Sequence, residues 1–381
     1  MHSETKKIKL FRVTTVAISL DILLKGQLKF LNQHFEVTGI ACGKDLLQNV
    51  KEREGIAVCH VPMKRDISIF YDLFCLFLLF FIFVFKRPHI VHANTPKGSL
   101  LSMTAAWAAC IPHRIYTVTG LRYQTAVGIK KKILIMMERL TCLFATKVIP
   151  EGLGVKQILE HDKITGKELF LVHNGNINGV DTTLFQKTKQ LVQEGKRLIP
   201  DENKFIFLFV GRLVKDKGVE ELLTAFGNFH KRHPDSKLVC VGGIEENDSP
   251  LSPEALEYLK NGEDIISTGF QKDVKPYMAV ADVFVFPSYR EGFPNVILQA
   301  CSMELPVIAT DITGSNEIIT DGVNGFLVPV KSVAELEEKM ELLYKNHQMR
   351  EKFSKNGREI IERKFKQEEV WNALLDVYNG L

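Results

Sequence analysis

Short apolar runs bounded by turn residues recur along the chain and alternate with longer stretches of helical spacing. In the first half they are IKLFRVTT (8–15), FEVTGIAC (35–42), IAVCHVP (56–62), HIVHA (89–93), HRIYTVTG (113–120), KVIPE (147–151) and LFLVHNG (169–175). The stretch KQLVQEGKRLIPDENK (189–204) is polar, carries Gly195 and Pro200, and reads as a linker. The rhythm then restarts with FIFLFVG (205–211), SKLVCVGG (236–243), DIISTG (264–269), DVFVFPS (282–288), PVIATD (306–311) and GFLVP (325–329). Such alternation predicts an α/β fold with parallel sheets. Two doubly wound, Rossmann-like domains are expected, 1–190 and 191–364, with a helix at about 365–381 packing back on the first. A ligand is expected in a cleft between the carboxyl ends of the two sheets.

One segment tests this scheme. ISIFYDLFCLFLLFFIFVF (67–85) is intensely apolar and is followed by Lys86, Arg87 and Pro88. Its charge-free run, Leu73 to Phe85, is 13 residues long. That is about 20 Å of helix at 1.5 Å per residue, short of the ~20 residues a span requires. It also sits between two expected neighbours in a sheet, at 56–62 and 89–93, where a crossover helix belongs. The expectation is a crossover helix and not a span. Apolar on all sides, it still has an outer face to cover against lipid or a partner.

Composition agrees with a globular chain: 381 residues, 45% apolar, 25% charged, without repeats or low-complexity runs. Seven scattered cysteines with no Cys-x-x-Cys pair argue against a disulfide framework or zinc site and for a reducing cytoplasm. The opening residues MHSETKKIKLFRVTTV reach a strand-length apolar run instead of a secretory one with a small-residue cleavage site. Net charge is +4, but residues 1–190 hold 26 Lys and Arg against 14 acids, leaving 23 against 31 in the remainder. A basic first half fits an anionic partner such as a membrane surface, and ordinary solvated charge would look the same. No aromatic-interleaved basic stripe or nucleic-acid motif is present.

Two stretches carry chemistry. In YREGFPNVILQA (289–300), Gly292 permits a tight turn and Pro294 suits the first position of a helix. The amides that follow make an anion site, and Glu291 just upstream is suited to accept hydrogen bonds from hydroxyls. An anion flanked by hydroxyls describes a sugar phosphate. In FLFVGRLVKDKGVEELLTAF (207–226), a strand ends at Gly211 and Arg212, a basic loop runs to Lys217 and Gly218, and an amphipathic helix follows. Arg212 and Lys217 are the cations expected on a diphosphate, one by forked bonds and one as a point charge. Neither a Gly-x-Gly-x-x-Gly nor a Walker-type Gly-Lys-Ser/Thr occurs.

With VHNGNINGVDTTLF and the run STGFQKDVKPYMAVADVFVFPSYREGFPNVILQACSMELPVIATDITGSNEIITDGVNGFLVPV, these motifs resemble family four of the retaining glycosyltransferases. The likeness covers nearly the whole chain and is strongest over 205–330. It implies the glycosyltransferase-B fold and transfer from a nucleoside diphosphate sugar, with retention and without a metal or other cofactor. TTVAISLDILLKGQLKFL and HANTPKGSLLSMTAA resemble bacterial enzymes that extend lipid-linked capsule, O-antigen or glycan-precursor saccharides. That implies a UDP-linked donor, a lipid-linked saccharide acceptor and a cytoplasmic enzyme in peripheral contact with an anionic membrane.

By the same resemblance Arg212 and Lys217 hold the donor diphosphate, and Glu291 contacts sugar hydroxyls. Gly292, Phe293, Pro294 and Asn295 form a turn whose amides face sugar and phosphate, and Gln299 meets the ribose. Gly211 ends the strand before Arg212, Gly269 and Phe270 flank the nucleobase, and Gly26 lies in a segment approaching the diphosphate. The sequence departs from the family pattern at Thr119-Gly120, where a His-Gly is usual, at the single Gly26, and at Gln299, where Glu is usual. His92 and His173 are expected to be structural or acceptor-side residues. The rival readings are a UDP-sugar 2-epimerase of the same fold and a non-catalytic sugar-nucleotide-binding scaffold.

Overall fold

All the apolar runs but one become strands, within two residues of their expected ends. The computed structural model describes residues 7–64, 66, 68–199, 204–245 and 249–381. Two units separate, residues 1–178 with 368–381 and residues 179–367. Among the described residues the first holds β1 (Lys9–Val16), β2 (Glu36–Cys42), β3 (Ala57–His60), β4 (Ile90–Ala93), β5 (His113–Val118) and β6 (Lys147–Pro150). All pair in parallel in the order β3-β2-β1-β4-β5-β6. The second holds β7 (Phe205–Val210), β8 (Ser236–Val241), β9 (Ile265–Ser267), β10 (Val283–Phe286), β11 (Val307–Thr310) and β12 (Gly325–Val328). Their order is β12-β11-β10-β7-β8-β9, again parallel.

Central strands such as β1 and β7 are buried along almost their whole length because helices cover both sheet faces. In the first unit the helices Ile69–Lys86, Pro96–Ala108 and Gly128–Phe144 share one core with the sheet. The other core receives Leu374 and Tyr378 of the C-terminal helix Gln367–Asn379. Helix Ile69–Lys86 sends Cys75, Leu79 and Phe83 into the first of these cores and so lies along the sheet as the β3-to-β4 crossover.

Two expectations fail. Residues 169–175 are not a strand: only an isolated bridge joins Leu169 to Val148. Positive φ angles at His173, Gly175 and Asn176 turn the backbone away from any ladder. Nor is 189–204 a linker, since Lys189–Leu198 is a helix capped by the Thr188 side chain; residues 200–203 lie outside the described residues. Gly195 is there for packing: a Cβ would sit 2.2 Å from the Pro276 carbonyl oxygen of helix Lys275–Val280. The division accordingly falls at Asn178 and Gly179, not near residue 190, and the chain re-enters the first unit at Glu368.

Candidate active site

In the second unit β7 and β10 are neighbours, but the chain leaves them in opposite directions, toward β8 and toward β11. Loops that diverge at such a switch point leave a crevice at the carboxyl ends of the strands. Lys217 follows β7 and Glu291 follows β10, and the structure joins them as an ion pair between Nζ and Oε1. The two side chains are 18% and 15% exposed, so the pair is sheltered yet open to a ligand. Ser288 Oγ donates to the same Glu291 oxygen at 2.7 Å, fixing the carboxylate from a second side.

The loops meet because their backbones do. Gly218, at φ +68°, carries no side chain where a Cβ would lie 2.0 Å from the Pro287 carbonyl oxygen. The Tyr289 N–H donates to the Asp216 carbonyl at 2.9 Å, and its hydroxyl to Glu221 Oε1 at 2.6 Å. Burial, and then that bond, push the Tyr289 phenol above its ordinary range, so it remains a neutral donor. Gly218, Ser288 and Tyr289 were not among the expected site residues. Their signal was available, since a Pro-Ser-Tyr run leaving a strand at a switch point must face the neighbouring loop.

The remaining expected residues divide. Arg212 follows Gly211 at the end of β7, is exposed, and pairs with Glu245 beyond β8 at 2.6 Å, so the two cations have different carboxylate partners. Gly269 lies two residues beyond β9, its carbonyl accepting the Gly242 N–H at 3.0 Å, and Phe270 beside it is 69% exposed. Gly292 and Pro294 are buried in the turn, and the helix begins at Asn295 with Pro294 as its cap, one position later than expected. Phe293 points inward, 5% exposed, its ring 5.4 Å from that of Phe365, so its side chain serves the core. The Ile297 N–H donates to the Pro294 carbonyl at 3.0 Å, which removes that amide from the expected anion site. Gln299 stands half-buried on the second turn.

Comparison with known proteins decides the family. Residues 193–360 match the family described as glycosyl transferases group 1. The capsular polysaccharide biosynthesis glycosyltransferase CapM of Staphylococcus aureus is 33% identical, with 98% of this chain and 97% of CapM covered. The chain belongs to the group 1 glycosyl transferases. This transferase is also 27% identical to the Escherichia coli UDP-Gal:alpha-D-GlcNAc-diphosphoundecaprenol alpha-1,3-galactosyltransferase, over 87% of each chain. Among solved structures, Anabaena HepE in complex with UDP and glucose superposes with a TM-score of 0.85 at 18% identity, covering 98% of the transferase and 100% of HepE. WaaG, of lipopolysaccharide biosynthesis, gives 0.73 at 17%, covering 97% and 99%. These structures show the glycosyltransferase-B fold.

In the transferase's first unit, Gly26 caps helix Gln27–Asn32 at φ +79° and donates its N–H to both Glu54 carboxylate oxygens, at 3.0 and 3.1 Å. Thr119 Oγ1 donates to the Asn94 carbonyl at 3.1 Å. His92 is buried between Tyr378 and Thr117, at 2.6 and 2.7 Å, and burial followed by the Arg12 charge holds it well below the ordinary histidine range. It is a neutral structural residue. His173 lies 3.5 Å from Glu369.

Proposed function

We propose that this transferase moves a sugar from a UDP-linked donor to a hydroxyl of a lipid-linked saccharide, with retention of anomeric configuration, in the building of a surface polysaccharide. The observation that carries the reading is the Lys217–Glu291 pair at the switch point between β7 and β10. A diphosphate entering there shares Lys217 with Glu291 and draws Arg212 from Glu245. The Glu291 carboxylate, held by Ser288, accepts hydrogen bonds from sugar hydroxyls. As the bond from sugar to phosphate breaks, negative charge grows on the leaving diphosphate, and both cations stabilise it more than they stabilise the ground state. The acceptor's proton goes to the leaving phosphate oxygen. The turn Gly292–Asn295 lies against the sugar and phosphate, exposed Phe270 beside Gly269 offers a ring to the nucleobase, and Gln299 meets the ribose.

The donor and acceptor assignments draw on relatives. The E. coli relative is named for UDP-galactose and a diphosphoundecaprenol acceptor. A Campylobacter jejuni relative, 26% identical over 70% of each chain, is an N-acetylgalactosaminyltransferase acting on a diphospho-undecaprenol saccharide. A lipid-linked acceptor keeps the reaction at a membrane, and peripheral residence on its cytoplasmic face completes the reading. The test is a panel of nucleotide sugars by thermal shift, then transfer to lipid-linked acceptors with the product anomer read by NMR. A retained product from a UDP-sugar is expected. Donor isomerised without acceptor identifies an epimerase, and donor bound without transfer identifies a scaffold; either result sinks the proposal.

A further inference from the structure

One face of the first unit's sheet is covered by the helices Ile69–Lys86, Pro96–Ala108 and Gly128–Phe144, the outer two each packed on the middle one. The middle helix is mostly buried. Helix Ile69–Lys86 gives Cys75, Leu79 and Phe83 to the core, and directly opposite runs a second apolar stripe. It consists of Phe70, Leu73, Phe74, Phe77, Phe81 and Phe85, from 45% to 90% exposed. Helix Gly128–Phe144 repeats the pattern with Ile129, Ile133, Met136, Leu140 and Leu143, spaced i, i+4, i+7, i+11 and i+14 and all exposed. Trp107, half exposed at the end of the middle helix, packs its ring 4.9 Å from that of Phe144. Exposed apolar surface of this extent marks an interaction face.

Charge identifies the occupant. Lys130, Lys132 and Arg139 border the second stripe, and Lys86 and Arg87 close the first, all exposed. The acids of the two helices are withdrawn: Asp72 is paired with Lys97 at 2.8 Å, and Glu138 is buried. Aromatic and aliphatic stripes on helices that expose their cations and withdraw their own acids match an anionic bilayer, whose headgroups are negative and whose acyl boundary accepts rings. Helix Ile69–Lys86 is long and apolar enough to cross a membrane by length and composition. Its inner stripe in the core and the Asp72–Lys97 tie hold it flat against the sheet instead.

We propose that the outer faces of helices Ile69–Lys86 and Gly128–Phe144 form one docking surface for an anionic lipid bilayer. Their apolar stripes and Trp107 enter the acyl boundary, while Lys130, Lys132 and Arg139 meet lipid phosphates. The surface is tested without donor or acceptor, so its outcome is independent of the transferase reading. The full chain is sedimented with vesicles of phosphatidylcholine alone or mixed with phosphatidylglycerol. Strong, salt-sensitive binding to the mixed vesicles is expected, and weak binding to the neutral ones. The triple variant Phe74→Ser, Phe77→Ser, Phe81→Ser should lose at least about a hundredfold in affinity. Lys130→Ala and Lys132→Ala should each lose about fivefold. All three variants should unfold at the wild-type temperature, since none of these side chains lies in the core. Wild-type binding by the triple variant, or equal binding to neutral and anionic vesicles, overturns the proposal. So does a wild-type chain that ignores vesicles and forms a dimer which the phenylalanine variant dissociates; the face would then belong to a second copy.

Discussion

Each sheet reverses its strand order between a central pair, β1 and β4 in the first unit, β7 and β10 in the second, and the two crevices have opposite fates. In the first the strand ends are stitched together. The Thr15 N–H donates to Thr95 Oγ1 at 2.7 Å, the two hydroxyls lie 2.7 Å apart, and the Gly98 N–H donates to Thr15 Oγ1 at 2.9 Å. Within that sheet, Arg12 is wholly buried, its Nη1 bonded to Gln27 and Tyr378 at 3.0 and 2.8 Å and its Nη2 to Asn94 at 2.8 Å. Since the Tyr378 oxygen accepts from Arg12, its proton goes to His92 Nδ1, which leaves His92 Nε2–H to donate to Thr117. In the second unit the equivalent place holds a lysine and a glutamate that remain partly open to solvent. One topology thus supports two uses of polar groups, a neutral-partnered lock in one unit and a partly exposed ion pair in the other.

The sharpest way to break this contrast is to remove charge from the second crevice. Lys217→Ala should lower kcat about 10²–10³-fold, and Arg212→Ala should do the same, the scale of one lost transition-state donor. Steady-state kinetics on folded protein decide it; wild-type turnover in both variants would make the second crevice as structural as the first. Next in size is a stability effect in the first unit. Glu138 is buried, accepts the Tyr116 hydroxyl at 2.6 Å, and burial pushes its carboxyl up to about 7. The folded state therefore holds this proton more tightly than the unfolded chain. Its contribution to stability is complete below the ordinary carboxyl range and is lost as pH rises toward about 7. Glu138→Gln keeps an acceptor for Tyr116 and should be more stable than the wild type by up to about 3 kcal/mol at pH 8. At pH 4 the two should match, and urea unfolding at both pH values checks it. A difference independent of pH refutes the assignment. Smaller again, Tyr378→Phe strips a hydroxyl that serves both Arg12 and His92, and should cost about 1–3 kcal/mol of unfolding free energy with turnover unchanged.

The contrast also explains what was legible in the sequence. Strands announced themselves because each apolar run is bounded by turn residues, and the Lys217–Glu291 pair because both residues stand just beyond strands that are neighbours in the sheet. What failed needed distant partners. Gly195 looked like a breaker, yet it marks the close approach of a helix carrying Pro276. Phe293 sits in a ligand-like turn, but Phe365, far along the chain, draws its ring into the core. The Arg12 lock joins positions 12, 27, 94 and 378, which no local pattern brings together. Local spacing pointed to residues that pair beyond β7 and β10 and hid the lock, because loops after strands are local features and buried polar networks are not.

Position 299 is where the contrast is finest, because it lies in the open crevice's helix yet carries no charge. Gln299 is half-buried on the second turn of helix Asn295–Ser302. Its amide oxygen accepts a hydroxyl hydrogen bond as a carboxylate does, more weakly, without adding negative charge near a diphosphate. With Gln299 placed against the ribose as proposed, Gln299→Glu sets two effects against each other, a stronger bond to a ribose hydroxyl and repulsion from the phosphates. Each is of the order of 1 kcal/mol, so donor affinity should change by less than about tenfold and stability hardly at all. Calorimetric titration with UDP, at low and high salt, separates the two: added salt should relieve the repulsion and leave the hydrogen bond. A complete loss of binding would mean that this side chain faces the phosphates and not the ribose.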